Sequence, residues 1–122
     1  MGRRKLREEI FKLLFERELI DNDMDVRLAE VLSENNITKE EDIEFMREYI
    51  KNVTEHKESI EDKIKSKLVG WSFDILGTVE KTLLKMSFYE ITEAGTGHEI
   101  VINETVELAK KYGEDKIGRA HV

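Results

Sequence analysis

A chain of 122 residues is long enough for one domain with a real core and gives no reason to expect a second. It has no cysteine, which excludes disulfides and thiolate metal ligands, and no apolar run of about 20 residues, which excludes a membrane-spanning helix. With 39% charged residues, a formal net charge of −7 and glutamates that interrupt any signal-peptide core, we expect a cytoplasmic protein.

The first predicted helix runs from about Arg3 to Leu19. Its apolar residues recur from Leu6 at i+4, i+7 and i+8, which places them on one helical stripe. The helix opens with RRKLR, four cations in five residues of an acidic chain. Cations at this end oppose the helix dipole, so local stability does not explain them. The cluster instead indicates a site for phosphate groups.

A solvated salt-bridge face is the alternative reading of this tip. Arg4 with Glu8 and Lys5 with Glu9 are spaced i,i+4. In both pairs the cation precedes the acid, which is the weaker orientation. Each pair therefore stabilises the helix by only about 0.2–0.5 kcal/mol. The residues alone leave both readings open.

The middle of the chain predicts two further helices. Asp21, Asn22 and Asp23 form a turn and cap cluster before a short helix that frays after Leu32. Thr38 and Glu41 match a capping box. An apolar repeat then continues to Ile64 and predicts one long core helix, in which Lys57 interrupts the stripe and is consistent with a bend.

The last third predicts two more helices after a break at Gly70 and Trp71. Ser72 or Asp74 is the expected cap, and the apolar face of the following helix comprises Ile75, Leu76, Val79, Leu83, Met86 and Ile91. After a loop at residues 94–97, a stripe of Ile102, Val106 and Ala109 predicts a core-facing helix that ends at Gly113. No useful β alternation is present, so the fold class predicted is all-α.

The chain does not match the common metal-binding or nucleotide-binding motifs. Asp21, Asp23 and Asp25 have the spacing of a calcium loop, but Val26 stands where glycine is needed. Glu80 replaces the glycine that precedes the lysine of a phosphate-binding loop. The three histidines are far apart in the chain. We therefore expect no metal, no cofactor and no enzymatic activity.

Three stretches taken together resemble the NusB family. They are Arg3–Glu8 (RRKLRE), Gly77–Ile91 (GTVEKTLLKMSFYEI) and Val101–Gly113 (VINETVELAKKYG). The last is the most specific, and the resemblance covers residues 3 to about 116 in order and spacing, so we expect a NusB-like RNA-binding helical domain over residues 1–116. It implies a bundle of two packed helical halves.

The resemblance also implies a function and its residues. It implies binding of boxA RNA, a single-stranded element of ribosomal operons, jointly with the small-subunit ribosomal protein NusE inside an RNA polymerase antitermination complex. The residues that match RNA-contacting positions are Arg3, Arg4, Lys5, Arg7 and Phe15. A core role for Phe15 is an equal alternative. The positions that match the NusE-facing surface are Asp74, Glu80 and Lys85, with Lys85 replacing a common arginine and its bidentate geometry.

The end of the chain departs from the family pattern. After Lys116 the family continues into a final helix, whereas this chain gives IGRAHV. We expect residues 117–122 to be a non-native tail and the final helix to be missing. Its loss is expected to leave an exposed apolar groove beside Leu83, Val106 and Ala109.

Two other functions stay open. One is a NusB-like module detached from an rRNA cytosine methyltransferase, although the YEI and INE stretches at Tyr89 and Ile102 favour the stand-alone family. The other is a protein-only helical adaptor whose basic tip is incidental.

Overall fold

The computed structural model describes residues 2–68, 70 and 72–113, and these form helices and loops without a strand. The all-α fold class is therefore confirmed. The helices are α1 (Arg3–Leu19), α2 (Met24–Glu34), α3 (Glu40–Glu55), α4 (Lys57–Lys67), α5 (Thr78–Thr92) and α6 (His98–Tyr112), with a 3-10 turn at Phe73–Ile75. None of these helices has the length and apolar character that crossing a bilayer requires.

The chain divides into two compact units, Met1–Glu55 and His56–Val122. In the first unit α1 packs against both α2 and α3. In the second unit α5 packs against both α4 and α6. Each unit thus has one helix that is covered by two neighbours.

The core of the first unit follows the predicted stripe of α1. Its buried residues include Leu6, Ile10, Leu13 and Leu14, and Met46 of the neighbouring α3 is buried as well. The predicted cap before α2 is also confirmed, because the Asp23 carboxylate accepts hydrogen bonds from the backbone N–H groups of Asp25 and Val26. In this part of the chain, local sequence patterns were sufficient to predict the buried side of α1 and the cap of α2.

The predicted long core helix is wrong in its continuity. It begins at Glu40, two residues after Thr38, and it ends at Glu55, because His56 leaves helical geometry before α4 starts. His56 Nδ1 lies 2.6 Å from Glu93 Oε1 at the end of α5. The interruption of the apolar stripe at Lys57 falls where α4 begins, so it did signal a bend there, although the buried Ile60 continues the stripe beyond it.

The start of α5 is also later than predicted. The helix begins at Thr78 after Gly77, and neither Ser72 nor Asp74 caps it. Ile75, expected on the core face, is 70% exposed, while Phe73 in the 3-10 turn is buried. Trp71 lies outside the described residues.

The buried face of α6 is not the predicted one. Val101 and Leu108 are buried, whereas Ile102 is 57% and Val106 44% exposed, and Ala109 is exposed too. The helix carries apolar residues on two sides, and contact with α5, including a 2.8 Å hydrogen bond between Ser87 Oγ and Thr105 Oγ1, selects one of them.

The expected apolar groove has two of its three predicted residues at the surface. Val106 and Ala109 are exposed, but Leu83 is buried. Gly113 follows α6 as predicted, although its φ of −61° is not left-handed. The predictions of a missing final helix and of a non-native tail at 117–122 concern residues outside the described part of the chain.

Candidate nucleic-acid interface and partner groove

The basic tip is formed by the first two turns of α1. Gly2 precedes the helix without a side-chain cap, and the first turn holds no acidic residue. Arg3, Arg4 and Lys5 are exposed there. The positive end of the helix dipole and these cations therefore coincide, which favours an anion.

Arg3 lies against an aromatic ring of another helix. Its guanidinium carbon is 4.0 Å from the centroid of the Phe45 ring on α3. No ion pair engages Arg3 within the part of the chain that the structure describes. Because a cation–π contact uses the face of the guanidinium, the N–H groups around its edge remain available to a ligand.

Lys5 is held by its own helix. Its Nζ lies 3.1 Å from Glu8 Oε1 and 3.6 Å from Glu9 Oε1. The hydrogen bond and charge of Glu8, with Glu9 adding to them, raise the pKa of Lys5 above its ordinary value. The salt-bridge reading of the tip thus applies at Lys5, where a phosphate must compete with two carboxylates.

Arg7 sits beneath the exposed cations. It is only 8% exposed, and its guanidinium carbon is 5.8 Å from the centroid of the Phe45 ring. Two arginines of α1 therefore approach one ring of α3. Arg7 contributes positive charge to the tip from a buried position.

Phe15 lies away from this tip. It is half-buried and stacks on Phe11, with ring centroids 5.9 Å apart and an interplanar angle of 22°. Twelve residues separate it from Arg3, which is about 18 Å along a helix axis. An RNA that touched both would have to follow α1 over that length.

Phe45 is a residue that the sequence analysis missed. It lies off the apolar stripe of α3, in an acidic stretch, and it is partly exposed. Its ring meets Tyr49 edge-on, with centroids 5.7 Å apart and planes at 73°. A partly exposed aromatic residue four positions before a core tyrosine was the available signal, but nothing in the sequence placed it beside Arg3.

A second candidate surface lies in the second unit. Glu80 lines an apolar groove of about 410 Å³ together with Leu68, Leu76, Leu83 and Leu84. Glu80 Oε2 is buried and has no hydrogen-bond partner among the described residues. A buried acceptor without a partner costs about 1–3 kcal/mol, so a ligand that supplies a cation is favoured here. Asp74 is exposed on the nearby 3-10 turn of the chain.

Lys85 is not at this surface, contrary to the expectation. It is 4% exposed, and its Nζ lies 3.0 Å from Glu61 Oε2. The pair connects α5 to α4. Lys85 falls on the side of α5 that faces α4, so its ammonium group lies in the interior of this unit.

The described residues contain no group of three or more His, Asp or Glu side chains arranged to hold a metal ion. Of the histidines, His56 is paired with Glu93. Two features of the described residues remain as candidate sites: a basic tip backed by an aromatic ring, and an apolar groove that contains one buried carboxylate oxygen.

Comparison with known proteins agrees with these features. The NusB family profile matches residues 4–119. A transcription antitermination protein NusB of Clostridium botulinum is 35% identical over 130 residues, which covers 95% of this chain and 91% of that protein. NusB of T. maritima is similar in structure, with a TM-score of 0.82 and 33% identity over 93% of this chain and 80% of that one.

A further solved structure contains antitermination factors NusB and NusE in complex with double-stranded RNA. Its matching chain has a TM-score of 0.81 and 27% identity, and the match covers 96% of this chain and 87% of that one. The curated relatives are named as antitermination factors and not as enzymes. The family profile and the identity over nearly the whole length together show that this chain belongs to the NusB family.

Proposed function

We propose that this chain is a transcription antitermination factor that binds the boxA RNA of ribosomal operons together with NusE. The observation that carries the proposal is Arg3, which stands at the dipole-positive end of α1 with its N–H groups unengaged by any described carboxylate. Arg4 and Lys5 add exposed positive charge, and Arg7 adds charge from beneath. Together they make a site for the phosphates of a nucleic acid.

The proposed surface for NusE is the groove that holds Glu80, with Asp74 exposed at the 3-10 turn. A basic ribosomal protein is attracted by a chain of net charge −7 before it docks. Lys85 is left out of this surface because it is buried against Glu61. The protein acts by binding, inside a cytoplasmic RNA polymerase complex, and catalyses no reaction.

The experiment that tests the proposal is filter binding of boxA-type RNA over a series of salt concentrations, with and without NusE. Four phosphate contacts on a single strand give a log–log slope of about −3. We expect a slope between about −2 and −3, because Lys5 is already engaged by Glu8 and Glu9, and a tighter complex when NusE is present.

Two comparisons make this experiment decisive. A duplex of the same sequence is bound in parallel, because the solved NusB–NusE neighbour contains double-stranded RNA. Weaker binding of the duplex supports recognition of an unpaired strand. Absence of salt-dependent binding to either RNA, with or without NusE, contradicts the proposal and leaves a protein-only adaptor.

The role of Glu80 is tested by Glu80→Gln. Glutamine keeps the shape of the side chain but removes the charge, and a charge-assisted hydrogen bond is about twice as strong as a neutral one. We expect NusE affinity to fall about tenfold, measured by calorimetry. The free chain is expected to melt no lower than wild type, because the charge is removed from a group whose buried Oε2 has no partner among the described residues.

Glu99→Gln is the matched control for this substitution, since Glu99 is an exposed carboxylate on α6 outside the groove. It is expected to leave NusE affinity within about twofold of wild type. Equal weakening by both variants would mean that net charge, and not the groove, determines binding.

A further inference from the structure

We propose that Phe45 and Arg3 form a composite platform on which one unpaired RNA base stacks. The inference rests on the proposed RNA-binding function and extends it from phosphate contact to the recognition of a base. It starts from one contact, the Arg3 guanidinium 4.0 Å from the centroid of the Phe45 ring.

The ring of Phe45 is held in a set orientation. Tyr49, which is 1% exposed, meets it edge-on at 5.7 Å. Tyr49 is buried in the core of the first unit, so its contact with Phe45 limits the orientations that the Phe45 ring can take. A ring fixed before the ligand arrives loses little freedom on binding.

The chemistry around this ring suits a nucleotide. Arg3 covers it at 4.0 Å and Arg7 approaches to 5.8 Å, so the ring backs one guanidinium and lies close to a second positive charge. Unpaired bases are bound by stacking on aromatic rings and on guanidinium planes, while nearby cations neutralise the adjoining phosphates. Both kinds of surface are present here at one place on the protein.

The stack also orients Arg3 for the phosphate. A free arginine side chain at a helix terminus samples many conformations, whereas one lying on a ring keeps its N–H groups directed outward. Phe45 is therefore a positioning residue for Arg3, and the exposed Arg3 guanidinium carries the base above the ring. Packing alone does not account for it, since Phe45 is partly exposed while Met46, Tyr49 and Ile50 fill the core.

The test combines Phe45→Leu with a set of RNAs that each carry one abasic nucleotide. Leucine keeps an apolar side chain but removes the aromatic face. We expect the variant to bind intact RNA roughly 5- to 100-fold more weakly, which is the loss of one stacked base. The salt slope is expected to stay unchanged, because no charge is removed.

The abasic RNAs identify which base stacks on the platform. At one position the abasic substitution is expected to weaken wild type but to have no further effect on Phe45→Leu, because that base has already lost its platform. Phe45→Trp is expected to restore affinity. Phe88→Leu is the matched control, since Phe88 is also a partly exposed phenylalanine on a helix but lies in the second unit, where no RNA contact is proposed.

Arg3→Lys provides a second, surface variant that does not threaten folding. It keeps the charge but loses the planar guanidinium, so it is expected to weaken binding several-fold at an unchanged salt slope and to show the same non-additive abasic position.

Three results would overturn the platform. They are wild-type affinity of Phe45→Leu, strictly additive losses at every abasic position, and an equal loss in Phe88→Leu. If wild type itself shows no salt-dependent RNA binding, the proposed function fails and the platform fails with it. If wild type binds RNA and Phe45→Leu binds equally well, only the platform is wrong.

Discussion

Replacing Arg3 and Arg4 together with alanine is expected to lower the affinity for single-stranded RNA by roughly 100-fold at physiological salt. Each hydrogen bond to a charged group contributes about 1.5–3 kcal/mol, so two lost phosphate contacts account for this factor at the lower end of the range. The log–log salt slope is expected to become shallower by about 1.4, since each contact on a single strand contributes about 0.7.

The stability of the double variant is expected to move little. Cations in the first turn oppose the helix dipole, so removing Arg3 and Arg4 relieves an unfavourable interaction of a few tenths of a kcal/mol each. The loss of the contact between Arg3 and Phe45, about 0.5–1 kcal/mol at an exposed site, acts in the other direction. A thermal melt within a few degrees of wild type shows that RNA binding, and not folding, has been lost.

The matched control is Lys110→Ala with Lys111→Ala, which changes the net charge by the same amount at exposed positions in the last turn of α6. Its RNA affinity is expected to stay within about threefold of wild type, because screening weakens charges that do not touch the ligand. A loss as large as that of the Arg3 and Arg4 variant would indicate general attraction and would contradict a localised site.

Glu61→Ala is expected to destabilise the free chain by about 3 kcal/mol. The substitution leaves the Lys85 ammonium buried, 4% exposed, without the carboxylate that lies 3.0 Å away. Breaking a buried ion pair by removing one member costs roughly 3–5 kcal/mol. The lower end applies because Glu61 is 20% exposed and Lys85 has another interaction. The melting temperature is expected to fall by about 10 °C.

Two further variants separate the ion pair from general effects of substitution. Glu61→Ala combined with Lys85→Met is expected to recover most of the loss, since an apolar side chain of similar length replaces the buried charge. Glu107→Ala removes a carboxylate from an exposed pair with Lys110 and is expected to cost under about 1 kcal/mol. If Glu61→Ala melts like Glu107→Ala, the buried pair contributes little.

Local signals in the sequence were enough for the helices and for some of their ends. The apolar stripe from Leu6 and the basic first turn predicted α1 as Arg3–Leu19, and the acidic cluster before α2 predicted the Asp23 cap. Each of these depends on residues within about four positions of one another, which is the range over which helix capping and periodicity act. Membership of the NusB family was also readable from three stretches of the chain.

Which apolar side is covered was decided by tertiary contacts. Helix α6 has two sides that could be buried, and packing on α5 buries Val101 and Leu108 while Ile102 remains exposed. Periodicity reports that a helix has an apolar side, but not which neighbour covers it. The break at His56 had a local signal in Lys57, but its contact with Glu93, 37 residues away in the chain, did not.

The two candidate surfaces also combine features that the sequence determined with features that helix packing decided. The sequence by itself determined that the positive charge lies at the start of α1 and that Glu80 lies on a helix of apolar character. Only the tertiary structure decided that Arg3 meets Phe45, that Glu80 lines an apolar groove and that Lys85 is paired inside the second unit. The physical reason is that cation–π contacts, grooves and buried ion pairs join residues of different helices. Their distances depend on how those helices pack.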